Sequence, residues 1–199
     1  MSLLRPVLPG DLPPERLALL VIDLQVAYLC DGPLADRRDD LVAGANELAA
    51  WCRRRGSPVV SVRTEHRRDG STWTLNMRED DEGFAFAGDA DAQLLPELEL
   101  VGAHELVKTR DSAFVRTGLD HWLTDAGVEA VLLCGVSTHT CVAATAADAY
   151  ARDLDVFPVV DAIASHRPAW HGPALELLRQ EYRLQTPTWG SVVAAGVRR

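Results

Sequence analysis

The sequence predicts an α/β protein: a three-layer α/β/α sandwich around a mainly parallel sheet of about six strands. Three observations lead there. Short apolar runs of buried-strand length recur along the chain, the clearest being Leu17–Ile22 and residues 130–134. Between them lie segments whose apolar residues fall at helical spacing. That alternation of strand and helix is the pattern of parallel strands joined by right-handed crossovers, with helices on both faces. At 199 residues, with no internal repeat, linker or low-complexity stretch, the chain reads as a single domain, residues 1–199.

Each element has its own local reason. Leu17–Ile22 is apolar without interruption, so it reads as a strand buried on both faces, and Asp23 closes it. Leu41, Val42, Ala45, Leu48, Ala49 and Cys52 mark one face of the next helix. Arg53, Arg54 and Arg55 complement its C-terminal dipole, Gly56 ends it and Pro58 prevents its return. Residues 59–62 form the second strand, and Lys108 closes a third, built on Glu105, Leu106 and Val107. A helix starting at Thr117 puts Leu119, Trp122, Leu123 and Ala126 on one face and stops at Gly127. Residues 130–134 are the fourth strand, ended by Gly135, and a small-residue helix follows over 142–151 with Ser137 or Thr138 as its cap. Residues 156–160 form a fifth strand, 173–180 a helix, and 182–185 a short final strand.

Three residues far apart in sequence are placed together by this scheme. Cys141 falls in the first turn of a helix that follows directly on a strand, where unpaired N–H groups and the positive end of the dipole favour a thiolate. The same N–H groups suit a developing oxyanion. Lys108 is the sole lysine among 20 basic residues. In a chain that otherwise uses arginine throughout, a surviving lysine points to a task needing a compact charge with a tunable pKa. Asp23 is an acid at the end of a buried strand, which is costly unless paired. All three sit at or just past the carboxyl ends of strands, where open α/β sheets place their ligands.

On these residues the chain resembles the isochorismatase-like cysteine hydrolases. The matching pieces are Val21-Ile22-Asp23-Leu24-Gln25, Lys108-Thr109-Arg110-Asp111-Ser112-Ala113-Phe114, and Gly135-Val136-Ser137-Thr138-His139-Thr140-Cys141-Val142. Thr145-Ala146-Ala147-Asp148-Ala149 and Val159-Val160-Asp161-Ala162 follow in the right order, so that the resemblance spans roughly residues 16–187. It implies a Rossmann-like fold and a catalytic triad of Asp23, Lys108 and Cys141. It also implies a cis peptide between Val136 and Ser137, and an oxyanion hole made by the backbone N–H groups of Ser137 and Cys141. The implied reaction is hydrolysis of a C–N bond in a small amide, ureido compound or lactam through a thioester. Two alternatives remain open at this point: an isochorismate-type vinyl-ether hydrolase, and a non-catalytic ligand-binding or oligomeric scaffold.

Composition narrows the partners. The net charge of −9 disfavours nucleic acid and anionic membranes. No apolar run reaches the length of a membrane span, and the proline-bearing start of the chain lacks the continuous apolar region of a signal peptide, so a cytoplasmic location is expected. Cys30, Cys52, Cys134 and Cys141 form no CxxC pair and are expected to be free thiols. Family members are commonly dimers or tetramers, and a homo-oligomer is expected here. The stretch 64–103 is the long connection of the chain and is expected to shape the substrate pocket, with Trp73 and Phe84 among its aromatic residues. Tyr28 and His139 complete the expected substrate contacts. Nicotinamidases of the family bind a metal through an Asp-x-His pair and further histidines. In the corresponding stretch here only His66 resembles a ligand, so no metal and no other cofactor is expected.

Overall fold

The computed structural model of the chain describes residues 8–195. The expectation about a signal peptide concerns in part residues 1–7, which lie outside the described residues. Among these residues five strands form one parallel sheet: β1 (Leu17–Ile22), β2 (Val59–Thr64), β3 (His104–Lys108), β4 (Ala130–Val136) and β5 (Asp155–Ala164), in the spatial order β3-β2-β1-β4-β5. Among the described residues eight α-helices accompany them: α1 (Val26–Leu29), α2 (Gly32–Ala35), α3 (Arg38–Arg55), α4 (Leu75–Asp80), α5 (Leu119–Asp125), α6 (Ala143–Tyr150), α7 (Pro168–Gln180) and α8 (Trp189–Ala195). A π-helical turn, Thr138–Val142, leads into α6.

The strict alternation of β1 divides the core into two layers. Leu17, Leu19 and Val21 pack with Leu41, Ala45, Leu48 and Cys52 of α3 and with Val192 of α8. Ala18, Leu20 and Ile22 pack on the other side with Leu119 and Leu123 of α5, Ala146 and Ala149 of α6, and Leu175 and Leu178 of α7. With every β1 residue fully buried, the strand needs no polar face, which is why its sequence is apolar throughout. The chain runs outward from β1 to β2 in one direction and to β4 in the other, so the strand order reverses at the β1–β4 pair. Such a reversal opens a crevice beyond the carboxyl ends of the two strands.

Backbone registers then decide what meets at that end. Ile22 pairs with Val62 of β2 and with Gly135 of β4, and Thr64 pairs with Lys108 of β3. Asp23, Thr64 and Lys108 therefore form a row across the sheet's carboxyl edge. Gly135 has φ of 113°, and a Cβ there would stand 1.9 Å from the Ile22 carbonyl oxygen, so only glycine permits this approach of β4 to β1. The peptide between Val136 and Ser137 is cis.

Several local expectations need correction. β4 runs through Gly135 to Val136, because Gly135 and Val136 still pair with Ile163 and Ala164 of β5. Residues 182–185 are not a sixth strand. Arg183 has φ of 55°, which breaks the extended backbone, and only farther along does the Pro187 carbonyl accept from Val160 N–H. α7 starts at Pro168 rather than Pro173, which lies inside the helix, and α8 has no counterpart in the sequence reading. The long connection after β2 is ordered by pairing with strand ends. His66 exchanges backbone bonds with Ala85 and Ala87, Leu95 N–H donates to Leu24, and Val26 N–H donates to Gln93. Fully buried Gln25 ties this together: Nε2 donates to the Thr64 and Ala92 carbonyls at 2.8 and 2.7 Å, and Oε1 accepts from Thr64 N–H at 2.7 Å. Among the described residues no helix is long and apolar enough to cross a membrane.

Candidate active site

Asp23, Lys108 and Cys141 meet at the β1–β4 crevice. The Lys108 ammonium lies 2.8 Å from Asp23 Oδ2, donates to Thr64 Oγ1 at 2.7 Å and to Cys141 Sγ at 3.5 Å. Thr64 Oγ1 in turn donates to Asp23 Oδ1 at 3.0 Å. Asp23 and Lys108 are essentially inaccessible, and Cys141 is 7% exposed. Four buried side chains, Asp23, Lys108, Thr64 and Cys141, are thus linked to one another, as burial of charge requires. The Asp23 Oδ2–Lys108 contact is an ion pair without hydrogen-bond alignment, so this oxygen keeps a lone pair free although it touches a cation. The Asp23 carboxylate, held by Lys108 and Thr64, acts on the Cys141 thiol through its charge.

The charge balance is asymmetric. Burial alone would lower the Lys108 pKa, but the Asp23 carboxylate and Cys141 outweigh it and hold the ammonium above the ordinary lysine value. The Cys141 thiol is pushed well up, first by burial and then by Asp23, with Lys108 pulling the other way. This corrects the expectation of a resting thiolate. Cys141 sits in the turn before α6, but the acid beside it and the loss of water outweigh the helix end. The resting group is a thiol next to a carboxylate that can take its proton.

The turn itself departs from simple capping. Ser137 Oγ is bonded to His166 Nδ1 at 2.8 Å and accepts from His166 N–H at 3.2 Å, and Thr138 Oγ1 pairs with His171 Nδ1 at 2.9 Å. Neither hydroxyl caps the helix. The N–H groups of Thr140 and Val142, on either side of Cys141, both donate to the Ser137 carbonyl at 3.1 Å, the first at 3₁₀ spacing and the second at the π-type spacing of the turn.

A cavity of about 490 Å³ opens above the Cys141 sulfur. Tyr28, Phe84 and His139 line it, as do His66, Asn76, Arg110, Asp111 and His166, none of which was singled out from the sequence as a substrate contact. Tyr28 and Phe84 meet edge to face at 5.6 Å. The Tyr28 phenol is held well above its usual pKa by burial and by Asp23, so it stays protonated. Trp73 is the exception among the expected contacts. Its ring packs on Phe86 at 6.4 Å and its Nε1 donates to the Arg67 carbonyl at 2.9 Å, so it fastens the connection to itself and does not line the cavity. His66 Nδ1 faces the Thr72 carbonyl at 3.1 Å. Burial, with Arg110 and Lys108 nearby, lowers its pKa. Among the described residues no group of three or more His, Cys, Asp or Glu side chains is arranged to hold a metal ion.

The chain is similar in sequence and in fold to known proteins. An isochorismatase-domain family model matches residues 17–188. The chain belongs to the isochorismatase family. It is 35% identical over 176 residues to the phenazine biosynthesis protein PhzD1 of Pseudomonas aeruginosa, a match covering 83% of this chain and 80% of the relative. The crystal structure of an isochorismatase family protein from Desulfovibrio vulgaris superposes with a TM-score of 0.82 at 30% identity, covering 92% of this chain and 99% of the other. That of an N-carbamoylsarcosine amidase from Thermoplasma acidophilum superposes with a TM-score of 0.75 at 28% identity, covering 87% and 96%. The family is one of hydrolases, amidases among them.

Proposed function

We propose that the protein is a cysteine-dependent hydrolase that cleaves the C–N bond of a small amide, ureido compound or lactam through a thioester. The observation that carries this reading is the set of groups around Cys141: an ammonium 3.5 Å from the sulfur and, 2.8 Å from that ammonium, a carboxylate oxygen with an unspent lone pair, beside a cavity that Cys141 lines. The likeness to an N-carbamoylsarcosine amidase supports it.

The steps follow from the neighbours. As the sulfur attacks the carbonyl carbon, the thiol proton passes to Asp23, and Lys108 stabilises the charge left between sulfur and carboxylate. The backbone N–H groups of Ser137 and Cys141 receive the developing oxyanion, and such a donor is worth about 3–4 kcal/mol in comparable sites. Protonated Asp23 gives its proton to the departing nitrogen and the C–N bond breaks. Asp23 then takes a proton from water, whose oxygen attacks the thioester, and the sulfur leaves to recover that proton. Thr64 accepts from Lys108 and donates to Asp23, so it keeps the pair in register through the cycle.

Mass spectrometry during turnover of a panel of small amides tests this reading. The expected result is an acyl adduct on the peptide that contains Cys141 and none in Cys141→Ala. Undiminished hydrolysis by Cys141→Ala would overturn it and favour the vinyl-ether chemistry to which the family owes its name, which needs the acid but no thiol.

A further inference from the structure

The Asp111 carboxylate stands 3.8 Å from the Cys141 sulfur, through Oδ1. It lines the cavity and is exposed to it. Among the described residues it makes no ion pair. The obvious counter-ion is its neighbour Arg110, but that guanidinium turns away onto backbone: Nη1 donates to the Thr72 and Thr109 carbonyls at 2.7 and 2.5 Å, and Nη2 to the Trp73 carbonyl at 3.3 Å. The thiol has a single proton to give, so this long contact leaves most of the Asp111 carboxylate's acceptor capacity unspent. Its position is fixed by backbone. Lys108 precedes it in β3, and Ala113 N–H donates to Thr145 Oγ1 of α6 at 3.0 Å, in a buried stretch with Ser112 and Phe114.

Any electrophile that reaches the sulfur lies beside this carboxylate. An ionised carboxylate only accepts hydrogen bonds. Beside an ester oxygen or a substrate carboxylate it meets lone pairs, whereas beside an N–H it forms a charge-assisted bond. We propose that Asp111 is the specificity determinant of this site: it binds the N–H groups of an unsubstituted carboxamide or ureido end, and selects such substrates over esters and N,N-disubstituted amides. The proposal rests on the reading of Cys141 as nucleophile and narrows the substrate class given above.

Two thiol reagents with the same leaving group test it without knowledge of the substrate. Iodoacetamide presents an NH₂ group on the carbonyl attached to the reacting carbon, and ethyl iodoacetate presents none. With either, the sulfur bonds to the methylene carbon, iodide leaves with the C–I electron pair, and the thiol proton is lost to Asp23. The full chain carries Cys30→Ser, because Cys30 is exposed and would compete. Alkylation of Cys141 is followed by mass spectrometry and expressed as the amide-to-ester rate ratio, in which any change of thiol acidity on removing Asp111 cancels. Asp111→Ala is expected to lower that ratio at least about tenfold, towards the ratio shown by a small free thiol. Asp111→Asn keeps the shape and a neutral acceptor, and is expected to lower it by roughly threefold. If the alanine variant does not fold, the asparagine variant decides. A ratio unchanged in a folded variant overturns the proposal, while the hydrolase reading still stands if Cys141→Ala is inactive on amides. Failure of both reagents to modify Cys141 in the folded protein overturns the proposal and the open access to the sulfur on which it depends.

Discussion

Cys134 and Cys141 are close in sequence, both buried, and on opposite faces of the sheet. Cys134 packs in the layer of α3 against Cys52, and Cys141 in the layer of α6. Burial pushes both thiols up. What separates them is the second influence on each. For Cys134 it is Cys52, another thiol. For Cys141 it is Asp23, which can take a proton, followed by Lys108, which can hold the charge that remains. Resting acidity therefore does not distinguish the proposed nucleophile from a packing residue in this protein. The distinction lies in whether a proton acceptor and a counter-charge are already in place.

The sharpest way to break that comparison is to remove each sulfur in turn. Cys141→Ala is expected to lower amide hydrolysis at least about a thousandfold with little change in melting temperature. Cys134→Ala should keep turnover within about twofold and lose roughly 1–2 kcal/mol of stability from the cavity it leaves in a dense core. Steady-state kinetics and thermal melts of the two variants read both effects, and a reversed pattern would assign the chemistry to the wrong face.

Replacing the counter-charge is the next largest change. Lys108→Arg keeps the charge, but a planar guanidinium cannot meet Thr64, Asp23 and Cys141 from one point as the ammonium does. Turnover is expected to fall at least about a hundredfold, equivalent to roughly 2.7 kcal/mol of barrier. Wild-type kinetics in this variant would reduce Lys108 to a packing residue like Cys134.

The smallest effect is on the inert side. Burial pushes the Cys52 thiol up to about 12. An unfolded cysteine loses its proton near 8.5, so above that pH the folded state binds more protons than the unfolded state. Stability from this group is complete below that value and drains away as pH rises towards the folded value. Between about pH 8.5 and 10.5 the stability of Cys52→Ala should fall less steeply than that of the wild type, by up to roughly 1.4 kcal/mol per pH unit. Parallel denaturation curves for the two proteins would show that the Cys52 thiol is not held as drawn.

Much of the site was legible because it is written in strand ends. Asp23 stood out as an acid closing an apolar run, and Lys108 as the sole lysine of an arginine-rich chain. Thr64 was passed over, although the same reasoning applies to a polar residue at the end of buried β2, because the run seemed to end at Val62. Asp111 and Gln25 were quoted as part of matching motifs without a role. Trp73 was placed by residue type, and type does not say which way a ring turns. The cap expected of Ser137 failed for a related reason: a hydroxyl takes the best partner nearby, and His166 arrives from a distant part of the chain.

The sequence alone determined the parallel α/β layering, since uninterrupted apolar runs separated by helical spacing admit few other arrangements. It also determined that a cysteine, a lysine and an acid share one end of the sheet. Only the tertiary structure decided the strand order and register that set Lys108 between Asp23 and Cys141. The charge state of the thiol was likewise decided there. Propensity and spacing act along the chain, whereas desolvation and Coulomb forces depend on distances between residues 41 to 118 positions apart (Asp23 to Thr64, Asp23 to Cys141), which local pattern does not encode.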